Sequence, residues 1–172
     1  PHHFGGAKNG HIRNIYIHNN FIDRWALGAV ELADWGSNNS FSNIIVEDNT
    51  AINGGVGFSS IGDSPYGKTD GIQIVGGANS GSTFTDLTIR NNNIDAYDAN
   101  NNISGSNFTN AILIENNTLK NANYGIRNNH ADGSHTYTFG NKLCSNTTPI
   151  YDRAAESQYI DNLIITGPCT DM

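Results

Sequence analysis

The sequence has few basic residues and no long apolar run. Lysine and arginine together number 9, against 16 aspartates and glutamates, so the formal net charge is −7. This deficit argues against the basic face that nucleic-acid binding requires, and we expect no nucleic-acid partner. Because no run of about 18 apolar residues occurs, the sequence also predicts no membrane span.

Helical periodicity is missing as well. No segment repeats its apolar residues with a period of about 3.6, and β-branched residues dominate the apolar runs. Phosphate loops, dinucleotide fingerprints, Cys-x-x-Cys pairs and nucleophile elbows are also missing. Asparagine and the 19 glycines are abundant instead, and both tolerate the left-handed backbone conformation of tight turns.

Only two cysteines occur, Cys144 and Cys169. Their separation suits a disulfide that pins the C-terminal segment, which would imply an oxidising compartment; two buried free thiols are the alternative. We predict a C-terminal cap at about 144–172 and a secreted, extracellular protein. Since the chain begins at Pro1, we expect a mature or excised fragment of a longer protein.

A short pattern recurs along the chain: an apolar anchor, any residue, two mostly polar residues, any residue, and a second small or apolar residue. The five copies are Ile17–Ile22, Val46–Ala51, Ile89–Ile94, Ile114–Leu119 and Phe139–Cys144. Their anchors at 17, 46, 89, 114 and 139 are 29, 43, 25 and 25 residues apart. A period near 25 is typical of solenoids and is shorter than the roughly 30 residues of a helix-containing βαβ unit. A weaker sixth copy lies around 162–165.

A second strand follows each anchor. These strands are marked by Val30–Leu32, Ile72–Ile74, Ile103, Ile126 and Ile150. The long interval in the second coil is explained by one inserted loop at about 58–69. We therefore predict a single all-β domain over 1–172, a parallel β-helix of about six coils.

In this arrangement, aliphatic residues fill the interior of each coil and parallel strands stack about 4.8 Å apart. The paired asparagines recur at one angular position, so their side-chain amides can bond along the axis as a ladder. A β-sandwich is the structural alternative, but hairpin turns would not place Asn-Asn at this fixed spacing.

The repeated apolar-x-apolar-x-Asn-Asn-x-Ile pattern resembles the right-handed, single-stranded parallel β-helix repeat of the pectate-lyase-like superfamily. The resemblance covers Ile12 to Ile165. It implies a protein related to polysaccharide lyases, glycoside hydrolases, epimerases, phage tailspikes and non-catalytic surface proteins. Members usually carry an N-terminal cap, so we expect an additional N-terminal domain or another chain at that end.

One group of candidate site residues forms an outward column when the anchors are aligned. The column contains His18, Glu47, Arg90, Glu115 and Gly140. One interpretation is a ladder of opposite charges. The other is a groove in which His18 and Arg90 bind a substrate carboxylate while Glu47 acts on a proton.

The inserted loop supplies a second group of candidates. Tyr66, Lys68 and Asp70 lie close together in the chain, and stacking of the second strands places Glu31 beside Gln73. Two carboxylates and a lysine on neighbouring coils can support acid–base catalysis. We therefore predict Asp70, Lys68 and Glu31 as catalytic, with Tyr66 and Gln73 as substrate-binding residues.

Two further expectations complete the site. Trp25 and Trp35 flank the second strand of the first coil, where each is either a sugar platform or a cover for the open end of the solenoid. We assign Trp35 to substrate binding. We predict no certain cofactor and no defined metal site. Ca²⁺ is the one candidate cofactor, with Asp48, Asp63 and Asp70 as oxygen donors.

The stretch Thr69–Ile72 also resembles the Thr-Asp-Gly-Ile part of the polygalacturonase-type motif, which implies a catalytic Asp70. The residue before Thr69 is Lys68 rather than asparagine, and the paired aspartate of the next coil is replaced by Asn91–Asn92 or a lone Asp95. The family's later histidine and Arg-x-Lys motifs are missing. The resemblance therefore specifies the fold more firmly than the reaction.

We expect an extracellular polysaccharide-acting protein, a lyase, glycoside hydrolase or epimerase that binds a glycan along the solenoid groove. The alternative is a non-catalytic carbohydrate-binding or structural β-helix, such as a tailspike segment or surface adhesin. That alternative is compatible with a homotrimer formed through a flank of the solenoid.

Overall fold

The structure, a computed structural model, describes residues 2–3, 9–25, 28–34, 38–54, 70–76, 82–96, 101–106, 112–128, 136–153 and 157–169. Within these ranges no segment forms a helix long and apolar enough to cross a membrane. The strands are β1 (His2–His3), β2 (His11–His18), β3 (Phe21–Asp23), β4 (Gly28–Asp34), β5 (Ser40–Glu47), β6 (Thr50–Ile52), β7 (Asp70–Gly76), β8 (Thr83–Arg90), β9 (Asn93–Asp95), β10 (Asn101–Ser106), β11 (Ile112–Glu115), β12 (Thr118–Lys120), β13 (Tyr124–Asn128), β14 (Thr136–Phe139), β15 (Lys142–Cys144), β16 (Thr148–Asp152), β17 (Gln158–Ile160) and β18 (Leu163–Ile165).

Every third strand joins the same sheet. Sheet A runs β1-β4-β7-β10-β13-β16, sheet B runs β2-β5-β8-β11-β14-β17, and sheet C runs β3-β6-β9-β12-β15-β18. All of the pairs are parallel. The all-β parallel solenoid predicted from the repeat is confirmed, although β2 to β16 make five successive groups of three, slightly fewer than the six coils expected. The right-handed sense of the coil stays a prediction.

The core is built from columns of inward side chains, one above another in register. Ile17, Val46, Ile89 and Ile114 form the sheet B column. Ile22, Ala51, Ile94, Leu119 and Leu143 form the sheet C column, and Ile164 continues its register at the end of the stack, where it is exposed. Val30, Ile72, Ile126 and Ile150 form the sheet A column, and the backbone of Ile103 is in register between Ile72 and Ile126, which confirms the predicted second strands. Burial of these aliphatic residues supplies the main driving force for winding.

A left-handed residue turns the chain from sheet B to sheet C in every coil. The φ angles of Asn19, Asp48, Asn91, Asn116, Gly140 and Asp161 lie between 52° and 60°. Asparagine, aspartate and glycine tolerate this region better than other residues, since a short polar side chain can bond locally and glycine has no Cβ. The number of left-handed corners therefore explains why residues such as asparagine and glycine are abundant.

The residue after each corner belongs to a continuous asparagine ladder. The ladder contains Asn20, Asn49, Asn92, Asn117, Asn141 and Asn162. From Asn49 onward, each side-chain oxygen accepts two hydrogen bonds from the asparagine one coil earlier, from its backbone N–H and from its Nδ2, at 2.9–3.1 Å. The predicted amide ladder is confirmed, and it satisfies the polar groups of corners that face a buried interior.

The predicted alignment of the fifth copy is wrong by one residue. Thr138 pairs with Ile114 and faces the core, whereas the proposed anchor Phe139 pairs with Glu115 and is 41% exposed. Gly140 occupies the left-handed corner rather than the outward column. The error arose because Phe139 is the apolar residue of the pair, whereas the residue at the buried position is the smaller Thr138.

The cysteines form a disulfide between Cys144 and Cys169, with their Cα atoms 5.4 Å apart. Cys144 ends β15 and is fully buried, so the bond ties the segment after β18 to the preceding coil. The predicted bridge is confirmed, and the free-thiol alternative is wrong. Disulfides of this kind are typical of oxidising compartments.

Candidate functional site

The outer face of sheet A carries the first candidate site. Because neighbouring strands are in register, Glu31 of β4 lies beside Gln73 of β7, as the sequence predicted. The Gln73 side-chain amide donates to Asp70 Oδ2 at 3.0 Å. Asp70 and Glu31 are only 5% and 6% exposed. The structure therefore brings two buried carboxylates and an amide together on adjacent strands.

A glycine, Gly28, lies next to Glu31 in this cluster. Gly28 is the register partner of Asp70 on β4. A Cβ at position 28 would lie 3.3 Å from the Glu31 Cβ, so this position and Glu31 face the same side of the strand. A side chain at position 28 would therefore crowd Glu31.

Farther along the same face lies a group that sequence reasoning missed. On the outward side of sheet A, the ring of Tyr124 in β13 contacts both Arg127 of the same strand and Tyr151 of β16. The only signal for them was their position next to the inward residues Ile126 and Ile150. Strands marked by a single isoleucine did not reveal which of their neighbours face outward together.

The outer face of sheet B carries the second candidate group. His18, Glu47, Arg90 and Glu115 stand in register there, as predicted from the anchors. Arg90 Nε lies 2.5 Å from Glu47 Oε2, and Arg90 Nη1 lies 4.0 Å from Glu115 Oε1. The Tyr16 hydroxyl donates to the other Glu47 oxygen, and the Tyr16 ring stacks on His18 with 4.2 Å between ring centroids.

These contacts occupy both oxygens of Glu47. Hydrogen bonds from Tyr16 and then Arg90 lower the pKa of the Glu47 carboxyl, while the same carboxylate raises the pKa of the Tyr16 phenol. A carboxylate held in its charged form by two donors is a poor general base. The contacts therefore favour the charge-ladder interpretation of this column, and a substrate-binding role for His18, Glu47 and Arg90 stays a prediction.

We expect Glu47→Gln to lower the pKa of the Tyr16 phenol toward its usual value of about 10, because the anionic acceptor is lost. The mutation should also reduce the decrease in the free energy of unfolding that occurs as the pH falls. A carboxyl whose pKa is depressed on folding contributes stability above the unfolded pKa of about 4.3 and loses it as pH falls through the lower, folded value. Ultraviolet titration of tyrosine and urea unfolding between pH 7 and pH 3 would measure both effects. Equal tyrosine titration and an equal decrease in the free energy of unfolding in the two proteins would contradict the contact network.

Several predicted residues lie outside the described part of the chain. These are the catalytic candidate Lys68, the substrate-binding candidates Tyr66 and Trp35, and the possible Ca²⁺ ligand Asp63. The inserted loop at 58–69 lies there too. Trp25 is described, and it is buried against Gly54, where an added Cβ would lie 2.3 Å from the indole ring. Trp25 is therefore a core residue, and the sugar-platform interpretation is wrong for it.

Among the described residues, no group of three or more histidine, cysteine, aspartate or glutamate side chains is arranged to hold a metal ion. The Ca²⁺ expectation, which includes Asp63, stays a prediction.

Comparison of the chain with protein-family models, with curated proteins and with solved structures finds no match. The parallel β-solenoid is established by the structure itself.

Proposed function

We propose that this protein is an extracellular polysaccharide-acting enzyme whose glycan lies along the outer face of sheet A. The observation that carries the proposal is the pairing of two buried carboxylates, Glu31 and Asp70, with Gln73 on adjacent strands of one outward face. A parallel sheet with outward side chains in register presents equivalent positions at regular steps of about 4.8 Å, which suits a polymeric ligand.

Acid–base chemistry is the role that fits these groups. In a hydrolase, one carboxylic acid donates a proton to the glycosidic oxygen while the other carboxylate takes a proton from the attacking water. In a lyase, a base such as Lys68 removes the proton α to a uronate carboxylate, the glycosidic oxygen leaves with a proton, and a carbon–carbon double bond remains. The disulfide supports an extracellular location.

The proposal is tested by incubating the protein with polyuronates and neutral glycans. New reducing ends would identify a hydrolase, ultraviolet-absorbing unsaturated ends a lyase, and a changed uronate composition without cleavage an epimerase. We expect Asp70→Asn and Glu31→Gln each to reduce turnover at least about 100-fold, the usual range for a proton-transfer residue. Asp86→Asn is the matched control, since Asp86 is an exposed left-handed residue within β8 of sheet B and asparagine stands at the equivalent position in β2 and β5.

Full activity of Asp70→Asn and Glu31→Gln would contradict the assignment of these residues. No product from any glycan would contradict the enzymatic function and favour the non-catalytic alternative. One observation supports that alternative: Tyr137, Phe139 and Ile160 form an exposed apolar strip near the C-terminal end of sheet B. Such a strip suits side-by-side packing of copies, and a trimer mass by light scattering would support it.

A further inference from the structure

An arginine on the outer face of sheet A lies against a pair of tyrosine rings through its contact with Tyr124. The guanidinium carbon of Arg127 lies 5.1 Å from the centroid of the Tyr124 ring, within the range of a cation–π contact. The Tyr124 and Tyr151 rings are 5.6 Å apart with an interplanar angle of 62°. Tyr151 remains 38% exposed, so one aromatic ring of the cluster is open to a ligand.

The hydrogen-bonding capacity of Arg127 is unused within the described residues. Its Nε is buried and has no hydrogen-bond partner. The carboxylate of Asp152, on the adjacent strand, instead accepts hydrogen bonds from Ser157 at 2.5 Å and from Tyr159 at 2.6 Å. Arg90 on sheet B differs, because its Nε contacts Glu47.

An unpartnered guanidinium is the chemical signature of an anion site. A buried donor without an acceptor is costly, and native structures keep few of them. The planar guanidinium offers five N–H donors in a fork that matches the oxygens of a carboxylate or a sulfate ester. The cation–π contact fixes the orientation of the guanidinium and supplies no acceptor for its N–H groups.

We propose that Arg127, Tyr124 and Tyr151 form a subsite for an anionic sugar, in which Arg127 binds the carboxylate or sulfate ester and Tyr151 packs on the ring. This inference rests on the proposed function, because it gives the polysaccharide at the sheet A face a chemical class. It adds residues that lie outside the predicted acid–base cluster.

The subsite and the carboxylate cluster share one column of the sheet. Register pairs link Glu31 to Gln73, Gln73 to Ser104 and Ser104 to Arg127. Three strand steps of about 4.8 Å separate Glu31 from Arg127 by about 14 Å. A ligand that reaches both groups must therefore be a chain of several sugars. Arg127 binds a sugar unit of this chain that lies away from the two carboxylates, which would repel a negatively charged sugar.

The net charge of −7 works against a polyanion at long range. At an ionic strength of 0.15 M the Debye length is about 8 Å, so distant repulsion is largely screened while a direct contact with a half-buried arginine persists. Binding should therefore be measured at this ionic strength or above it.

Calorimetric titration with three probes tests the subsite: polygalacturonate, the same polymer after reduction of its carboxyl groups, and a sulfated galactan. We expect at least one of the two acidic polymers to bind about tenfold more tightly than the reduced polymer, as one charge-assisted contact allows. Arg127→Gln should abolish this preference and leave binding of the reduced polymer unchanged. Preference for polygalacturonate identifies a carboxylate ligand, and preference for the galactan identifies a sulfate ester.

Two further variants make the result interpretable. Arg127→Lys should retain part of the preference, because the charge remains while the fork is lost. Arg13→Gln is the matched control, since Arg13 is an exposed cation on sheet B, and it should bind as the wild type does. Thermal unfolding would verify that each variant is folded.

Equal affinity of the wild type for acidic and reduced polymers, with no effect of Arg127→Gln, would overturn the anionic subsite while leaving the proposed function standing. Absence of binding and turnover with every glycan would overturn both.

Discussion

Replacing Asn117 by alanine is expected to reduce the free energy of unfolding by about 3–5 kcal/mol. Asn117 is 1% exposed and stands in the middle of the asparagine ladder. Its oxygen accepts from the backbone N–H and Nδ2 of Asn92, and its Nδ2 donates to Ile89 O and Asn141 Oδ1. Alanine would leave several of these buried groups without partners, each at a cost of about 1–3 kcal/mol.

Thermal unfolding followed by circular dichroism would detect this loss as a melting temperature lower by roughly 10 °C, given about 2–4 °C per kcal/mol for a chain of this size. Asn116→Gly is the matched control. Asn116 is the exposed left-handed residue immediately before the ladder, and Gly140 already occupies the equivalent corner one coil later. A melting temperature of Asn117→Ala close to that of Asn116→Gly would contradict a structural role for the ladder.

Removing the disulfide is expected to cost about 3.5 kcal/mol. Cys144 and Cys169 are separated by 25 residues, and closing a loop of that length restricts the unfolded chain by this amount in the loop-entropy relation. The wild type in reductant and Cys169→Ala should unfold at the same lower urea concentration.

The internal check is that reductant must leave Cys169→Ala unchanged, because the chain contains no other pair of cysteines. If fully reduced wild type, verified by thiol titration, unfolded at the same urea concentration as the oxidised protein, the bridge would have no part in stability. The ladder and disulfide experiments both test the stability of the solenoid, which holds the sheet A residues in register.

The repeat revealed most of the fold because each coil repeats the same physical requirements. In the sequence, these requirements appear as three residue types at a fixed spacing: a buried aliphatic residue, a residue that tolerates the left-handed corner, and a hydrogen-bonded asparagine. The single misalignment, at Phe139, occurred where the inward position is Thr138. Hydrophobicity alone misassigned the register there, and only the ladder residue Asn141 would have corrected it.

The candidate site was less accessible to sequence reasoning. Pairing of Glu31 with Gln73 followed from aligned second strands, and the structure bears it out. The bond between Gln73 and Asp70 and the buried state of both carboxylates depend on side-chain packing, which a one-dimensional pattern does not contain. The same holds for Arg127, whose distinguishing property is the absence of a hydrogen-bond partner for its Nε within the described residues.

The asparagine ladder gives the molecule a chemical polarity from one end to the other. Within the ladder, each asparagine donates to the next asparagine toward the C-terminal end and accepts from the previous one. Asn20 therefore presents an acceptor and Asn162 a donor at the two ends of the column. A two-fold dimer formed by joining identical ends would set like groups against each other, since such an interface must be self-complementary. Copies that met end to end would have to associate head to tail, whereas symmetric assembly is left to the flanks.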